Sequence, residues 1–281
     1  MTTTSLRIAF IGGGNMAAAL IGGLIKNGAQ AQDILAIDPM QATRDNLVKN
    51  FQIQVASDCD AAKAFLAASD LVIFAIKPQQ FFEAATQFKS ALNGSATPLI
   101  LSIAAGIRIE DMVRWVGYDR IVRAMPNTPA LISKGVTGLC ANKSISASDR
   151  RNVELACQAV GSYKWVDTEN LIDAVTAVSG SGPAYVFAFL EALQAAGVNQ
   201  GLNNEQAKLL AIETLVGAAM LAANSEDSPT TLREKVTSKG GTTFAALEVL
   251  REKHWGAILN EAIDAAAKRG AEMGQEFGKT N

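Results

Sequence analysis

This sequence predicts an α/β fold: a doubly wound sheet with helices on both faces, followed by an all-helical domain. Three observations predict it. Short β-rich runs alternate with helical patterns through the first half. A glycine-rich turn follows the first run. After about residue 170 the strand signal ceases and Ala- and Leu-rich helical stretches take over. At 281 residues, 49% apolar and 19% charged, the chain has room for two ordinary domains, divided between residues 168 and 169.

Taken in order, the β-branched and aliphatic runs place strands at residues 6–11, 34–37, 53–55, 71–75, 98–102 and 120–124. Helical spacing places helices between them at 15–27, 41–50, 58–67, 79–92 and 109–116. A further unit follows, with a strand at 136–141, a helix at 146–159 and a strand at 163–166. Alternation of this kind makes βαβ units and a parallel sheet. Beyond it, the long helices are 183–196, 205–223 and 254–276. Leu209, Leu210, Ile212, Leu215, Val216, Met220 and Leu221 make a stripe too broad for a single neighbour in a small domain, so a subunit interface is its natural partner; burial inside its own bundle is the plainer reading.

Bulk chemistry excludes several function classes. Formal net charge is −2 with scattered Lys and Arg, so no footprint for nucleic acid or an anionic membrane is expected. The start, Met1-Thr2-Thr3-Thr4-Ser5, has no basic region or long apolar stretch of a leader, which points to a cytoplasmic protein. The apolar stretch 209–223 carries Glu213 and falls short of the roughly 20 residues of a membrane-spanning helix. Cys59, Cys140 and Cys157 are far apart and lack CxxC spacing; they read as reduced packing residues, and no metal site is expected.

Ile11-Gly12-Gly13-Gly14-Asn15-Met16-Ala17 reads as strand end, turn and helix start, with Gly12, Gly14 and Ala17 in the three positions of G-x-G-x-x-G/A. Gly12 permits a tight turn, Gly14 lets backbone approach a pyrophosphate, and Ala17 allows close helix-to-strand packing. The fold is thus Rossmann-like and a dinucleotide is the expected ligand. Asp38, at the end of the second strand, suits the adenine ribose of NAD; Arg44 matches a 2′-phosphate if the loop folds back, and a solvated place on the next helix if it does not. Ala75-Ile76-Lys77-Pro78 and Ala104-Ala105-Gly106 follow strands at the sheet edge that holds ligands, the latter with small side chains that leave room for a ring or phosphates.

The chain has a single histidine, His254, with no acid at useful spacing, so a His–acid pair is unavailable. No lysine stands on the first long helix after the sheet. In its place is a break, Ser179-Gly180-Ser181-Gly182-Pro183, either a helix start with free N–H groups or a packing kink. A second break, Thr237-Ser238-Lys239-Gly240-Gly241-Thr242-Thr243, leads into a helix and makes a hydroxyl-rich nest of N–H donors suited to a carboxylate, or ordinary helix capping. A reductase without a strong acid suits an imine, whose nitrogen already carries a proton as the iminium.

Four blocks, Gly12 to Ala17, Met125-Pro126-Asn127-Thr128-Pro129, Ser179 to Tyr185, and Val236 to Thr243, resemble those of pyrroline-5-carboxylate reductases, and the likeness runs from about Arg7 to about Glu272. The resemblance implies a Rossmann domain at 1–168 and a helical substrate and dimerisation domain at 169–281. It implies reduction of 1-pyrroline-5-carboxylate to L-proline, with NADP as cofactor and NAD as the alternative, in a homodimer or higher homo-oligomer. It further implies that Ile11 to Ala17, Asp38, Ala75 to Pro78, Ala104 to Gly106 and Asn127 contact the cofactor. Glu169, Ser238, Gly240, Gly241, Thr242 and Thr243 would contact the substrate, with Thr243 as proton relay. Two positions depart from the family: Lys239, where proline is frequent, and Asp38, where a small hydroxyl residue suits a 2′-phosphate better. The competing readings are a β-hydroxyacid-type dehydrogenase, against which the missing helix lysine counts, and a non-catalytic nucleotide sensor.

Overall fold

Contiguous apolar runs become the strands of a single sheet in a computed structural model of the chain, which describes residues 6–279. The leader reading of Met1 to Ser5 lies outside the described residues. The strands are β1 (Ile8–Ile11), β2 (Ile34–Ile37), β3 (Gln54–Ala56), β4 (Leu71–Phe74), β5 (Leu99–Ser102), β6 (Ile121–Met125), β7 (Gly135–Ala141) and β8 (Gly161–Trp165). Their order is β3-β2-β1-β4-β5-β6-β7-β8, so the winding reverses between β1 and β4. Every residue of β1, β2, β4 and β5 is buried, which is why those runs are apolar without alternation.

The helices on the sheet are α1 (Asn15–Lys26), α2 (Gln41–Phe51), α3 (Lys63–Ala67), α4 (Phe81–Leu92), α5 (Ile109–Val116) and α6 (Ala147–Gln158). Alternate strand residues feed two cores. Ile8 and Phe10 pack with Leu20 and Ile21 of α1 and Val153 of α6, whereas Ala9 and Ile11 share a core with Phe65, Phe81, Phe88 and Trp115 of α3, α4 and α5.

Two expectations are corrected. The sheet is not wholly parallel, since β6 and β7 pair antiparallel. Only residues 126–134 join them, fewer than the dozen or so that a parallel crossover needs. The helix expected at 58–67 shortens to Lys63–Ala67, because the Asp58 carboxylate accepts the Ala61 N–H at 2.8 Å and the Ser57 hydroxyl at 2.7 Å, holding the chain in a turn.

Where β6 begins, Arg120 donates from Nη2 to Asp149 Oδ1 at 2.6 Å and from Nε to Oδ2 at 3.2 Å. Asp149, 2% exposed, also accepts the Ser146 N–H and completes a capping box at the start of α6. Burial alone would raise its pKa, but the bonds from Arg120 and Ser146 outweigh burial and hold it below the ordinary carboxylate range. A depressed native pKa contributes stability above the unfolded pKa that is lost as pH falls through the native one. Asp149→Asn is therefore expected to cost about 1–3 kcal/mol at pH 7, with the difference shrinking below about pH 4. Denaturant titrations at both pH values check it; an equal difference at both would refute the ionic contribution.

Contacts divide the chain into two compact units. One runs to Ser181 and takes back the chain from Ala266 onward, and the other is Gly182–Ala265. The first also contains α7 (Asn170–Val175), followed by a single π-helical stretch, Thr176–Gly180. The second holds α8 (Gly182–Asn199), α9 (Asn204–Ala223), α10 (Pro229–Lys235), α11 (Thr242–Glu252) and the start of α12 (Trp255–Gly278), whose later part belongs to the first. α9 is 20 residues with mean hydropathy 1.4 in its most apolar window, so the length argument against a spanning helix at 209–223 fails: by length and composition alone α9 is sufficient to cross a membrane.

Candidate functional site

The glycine turn is built by close approach. Gly12 has φ +98° and its N–H donates to Ile37 O at 2.8 Å. A Cβ there would lie 2.5 Å from Ala75 O and 2.7 Å from Ile76 Cγ2, so the turn is pressed against the chain leaving β4. Gly14 precedes α1, with no side-chain cap and no acid in the first turn, and a Cβ on it would meet nothing within 4 Å. Unclaimed N–H groups thus face open space at the start of a 12-residue helix, which fits a pyrophosphate. Asn15 is exposed, Met16 half-buried, and Ala17 fully buried against the sheet.

Asp38 is anchored to this turn. Its Oδ2 accepts the Gly13 N–H and its Oδ1 the Met40 N–H, both at 2.9 Å. Arg44 does fold back, donating from Nη1 to Asp38 O at 2.6 Å and from Nη2 to Gln41. Two of five guanidinium donors are so used. Ala75 and Ile76 are half-buried beside Gly12, Lys77 is exposed, and Pro78 starts a 3-10 turn.

The room expected over Ala104 to Gly106 is partly taken. Ala104 is 2% exposed, Ala105 half-buried, and Gly106 has φ +78°. A Cβ at Gly106 would lie 3.2 Å from Met273 Cβ and 3.4 Å from the Phe277 ring, so the end of α12 covers it. Asn127 is also committed: Nδ2 donates to Ser179 O at 3.1 Å and Oδ1 accepts the Val136 N–H at 3.0 Å.

Glu169, expected near the substrate, accepts at Oε1 from two partners, Arg123 Nη1 at 3.0 Å and the Ile109 N–H at 2.8 Å. Arg123, 2% exposed, reaches Asp173 Oδ1 with Nη2 at 3.0 Å, and Arg108 adds a 3.8 Å contact to Asp173 Oδ2. Reading the sequence passed over this cluster. Its signals were a lone arginine in the apolar run Ile121-Val122-Arg123-Ala124-Met125 and two acids, Glu169 and Asp173, four residues apart on a helix.

Of the two readings of the Ser179–Pro183 break, the kink holds. Ser181 keeps right-handed helical dihedrals and its N–H donates to Thr176 O at 2.8 Å, so a π turn runs there in place of a free helix start. The second break does start a helix. α11 follows Gly241 with no side-chain cap and no acid in its first turn, unlike α9 and α10, which are capped by Asn203 and Ser228. Gly240 has φ +75°, Gly241 donates to Ser238 O at 3.0 Å, and Ser238, Lys239, Thr242 and Thr243 are exposed.

Burial pushes the Cys59 and Cys157 thiols up to about 12, which keeps both protonated and excludes them as nucleophiles near neutral pH. Among the described residues no group of three or more His, Cys, Asp or Glu is placed to hold a metal ion.

Residues 169–273 match the family model for pyrroline-5-carboxylate reductase dimerisation, and residues 7–106 match that for NADP oxidoreductase, coenzyme F420-dependent. The chain is 43% identical to a pyrroline-5-carboxylate reductase of Pseudomonas aeruginosa, over 97% of this chain and 98% of that one. Its fold superposes on a solved pyrroline-5-carboxylate reductase from Coxiella burnetii with a TM-score of 0.90 at 36% identity, covering 96% and 99% of the two chains. A pyrroline carboxylate reductase from Plasmodium falciparum, solved with NADP bound, gives a TM-score of 0.82 at 28% identity, covering 96% and 98%.

Proposed function

The chain belongs to the pyrroline-5-carboxylate reductase family, and from that membership we propose how its own residues serve the NAD(P)H-dependent reduction of 1-pyrroline-5-carboxylate to L-proline, the last step of proline biosynthesis. The observation that carries the reading is the pair of unclaimed helix starts, at Gly14 and at Gly241. When bound, the nicotinamide cofactor supplies the hydride.

Gly12, Gly13 and Gly14, with the N–H groups of Asn15, Met16 and Ala17, hold the pyrophosphate, while Ile11 and Ala75 to Pro78 border it. Asp38 and Arg44 sit at the adenine ribose, and Ala104 and Ala105 at the nicotinamide end. Ser238, Gly240, Gly241 and Thr242 hold the substrate carboxylate, the exposed Lys239 adding positive charge to that loop. The Thr243 hydroxyl meets the ring nitrogen and, once hydride has turned the iminium into a neutral amine, relays to it a proton drawn from solvent. Glu169 stands near the substrate, its Oε1 already shared by Arg123 and the Ile109 N–H. A substrate that arrives as an iminium asks for no stronger acid, which agrees with a chain whose one histidine is His254.

Residues 1–168 serve as the cofactor domain and 169–281 as the substrate and dimerisation domain. Exposed Phe187, Leu209, Met220 and Leu221, each at least 60% accessible, give the second unit an apolar surface that a homodimer would bury. The same partner accounts for the apolar face of α9 without a membrane. Neither nucleic acid nor a membrane is a partner in this reading, and the site of action is the cytoplasm.

Purified protein is expected to oxidise NADPH or NADH only when 1-pyrroline-5-carboxylate is supplied. Tight cofactor binding without turnover would mark a nucleotide sensor instead. In the same assay Asp38→Ser is expected to raise the NADPH-to-NADH ratio of kcat/KM by about tenfold, the effect of removing one carboxylate charge from the ribose end. An unchanged ratio would leave Asp38 with the single role of bracing Gly13.

A further inference from the structure

Helix geometry gives every carbonyl a partner four residues on, and the partner due to Ser179 is residue 183. That residue is Pro183, which has no N–H and whose ring crowds the carbonyl of residue i−4. The consequence is visible: the helix opens into the π stretch Thr176–Gly180, and the Ser179 carbonyl takes its hydrogen bond from Asn127 Nδ2 at 3.1 Å instead. Asn127 is 9% exposed, and its other amide atom accepts the Val136 N–H from β7. One side chain thus ties the carboxyl end of β6, the start of β7 and the π turn together.

Neighbouring contacts lie along the same strand and helix. Two residues before Asn127, Met125 Cε lies 2.6 Å from where a Cβ on Gly180 would be, and two before that Arg123 is clamped by Glu169 and Asp173 of the preceding turns. Gly138 of β7 likewise has no room for a Cβ, which would lie 2.5 Å from Val175 Cγ1. The π turn is therefore seated on β6 and β7 by an ionic clamp at 123, a glycine contact at 125 and an amide latch at 127. The ligand in an open α/β sheet lies beyond the carboxyl ends of the strands, which is where the latch sits.

We infer that Asn127 is a positioning residue, whose amide does not contact the cofactor but replaces the donor that Pro183 lacks, and so fixes the loop Met125–Pro129 at the nicotinamide end. The inference rests on the reading of residues 1–168 as the cofactor domain. It also explains why the two blocks occur together: a proline at 183 creates the orphan carbonyl that an asparagine at 127 satisfies.

The test is a double-mutant cycle. Asn127→Asp keeps the acceptor for Val136 and sets a carboxylate oxygen in place of the donor to Ser179, while Asn127→Ala removes the donor without adding charge. Asn127→Asp is expected to lower kcat about tenfold and Tm by several degrees, while the dissociation constant of NADPH, read by fluorescence titration, stays within about twofold. Adding Pro183→Ala restores an N–H to residue 183, and is expected to recover most of the lost Tm and part of kcat. A rise in the NADPH dissociation constant that Pro183→Ala does not reverse would show direct cofactor contact and overturn the inference; so would additive effects of the two substitutions on Tm. Asn127→Ala substitutes if Asn127→Asp does not fold. The Tm and binding arms need no substrate, so failure of the imine reaction would leave them readable.

Discussion

Gly12→Ala is expected to abolish useful cofactor binding, raising the dissociation constant of NADPH at least about a hundredfold. Two effects combine. Gly12 holds φ +98°, where a side chain costs about 1–2 kcal/mol. The new methyl would also stand 2.5 Å from Ala75 O and 2.7 Å from Ile76 Cγ2, and overpacking of that kind costs about 1–3 kcal/mol when backbone must shift. Relief comes only by moving the turn away from the end of β4, which moves the N–H groups of α1 with it. Denaturant titration is expected to show a loss of about 2–5 kcal/mol, the sum of those two costs. A variant that is destabilised yet binds NADPH normally would mean that the turn is a structural device and not the cradle.

Thr243→Ala is expected to lower kcat about a hundredfold, the low end of what positioned proton transfer contributes, and to leave NADPH affinity unchanged. The residue is exposed, stands in the first turn of α11 and has no side-chain cap role, so its loss should cost little stability. Thr243→Ser keeps the hydroxyl and should retain most of the activity. Steady-state kinetics with 1-pyrroline-5-carboxylate decide the matter; a Thr243→Ala enzyme with wild-type kcat would remove the hydroxyl from the mechanism and leave only the helix-start N–H groups at that end.

Much of the fold was legible because it is local. β2 and α5 fall on the residues expected from apolar runs and helical spacing, and the remaining strands shift by one or two residues. Gly12 makes the tight turn and Ala17 the close packing that their spacing assigned, and Gly14 leaves an open helix start, since each is dictated by neighbours in the chain. The short α7 and α10 were missed because six or seven residues carry too little periodicity to read.

Legibility stops where a polar side chain must choose a partner. Nothing near Glu169 in the chain announces that residues 46 and 60 positions earlier will share its Oε1. The small residues at 104–106 suggested open space, and Met273 and Phe277 fill part of it. Nothing in the run around Asp38 announces that Gly13 and Met40 will hold both its oxygens.

By itself, then, the sequence determined the α/β class, the glycine turn at 12–17, the helix start at 241–243 and the want of a histidine acid, because each follows from backbone preference, periodicity or residue inventory. Tertiary structure alone decided the burial of Arg123 between two acids, the cover of Gly106 by Met273 and Phe277 and the latch from Asn127 to Ser179. Those depend on groups brought together from distant parts of the chain, and a buried donor or acceptor takes whichever partner folding places within about 3 Å.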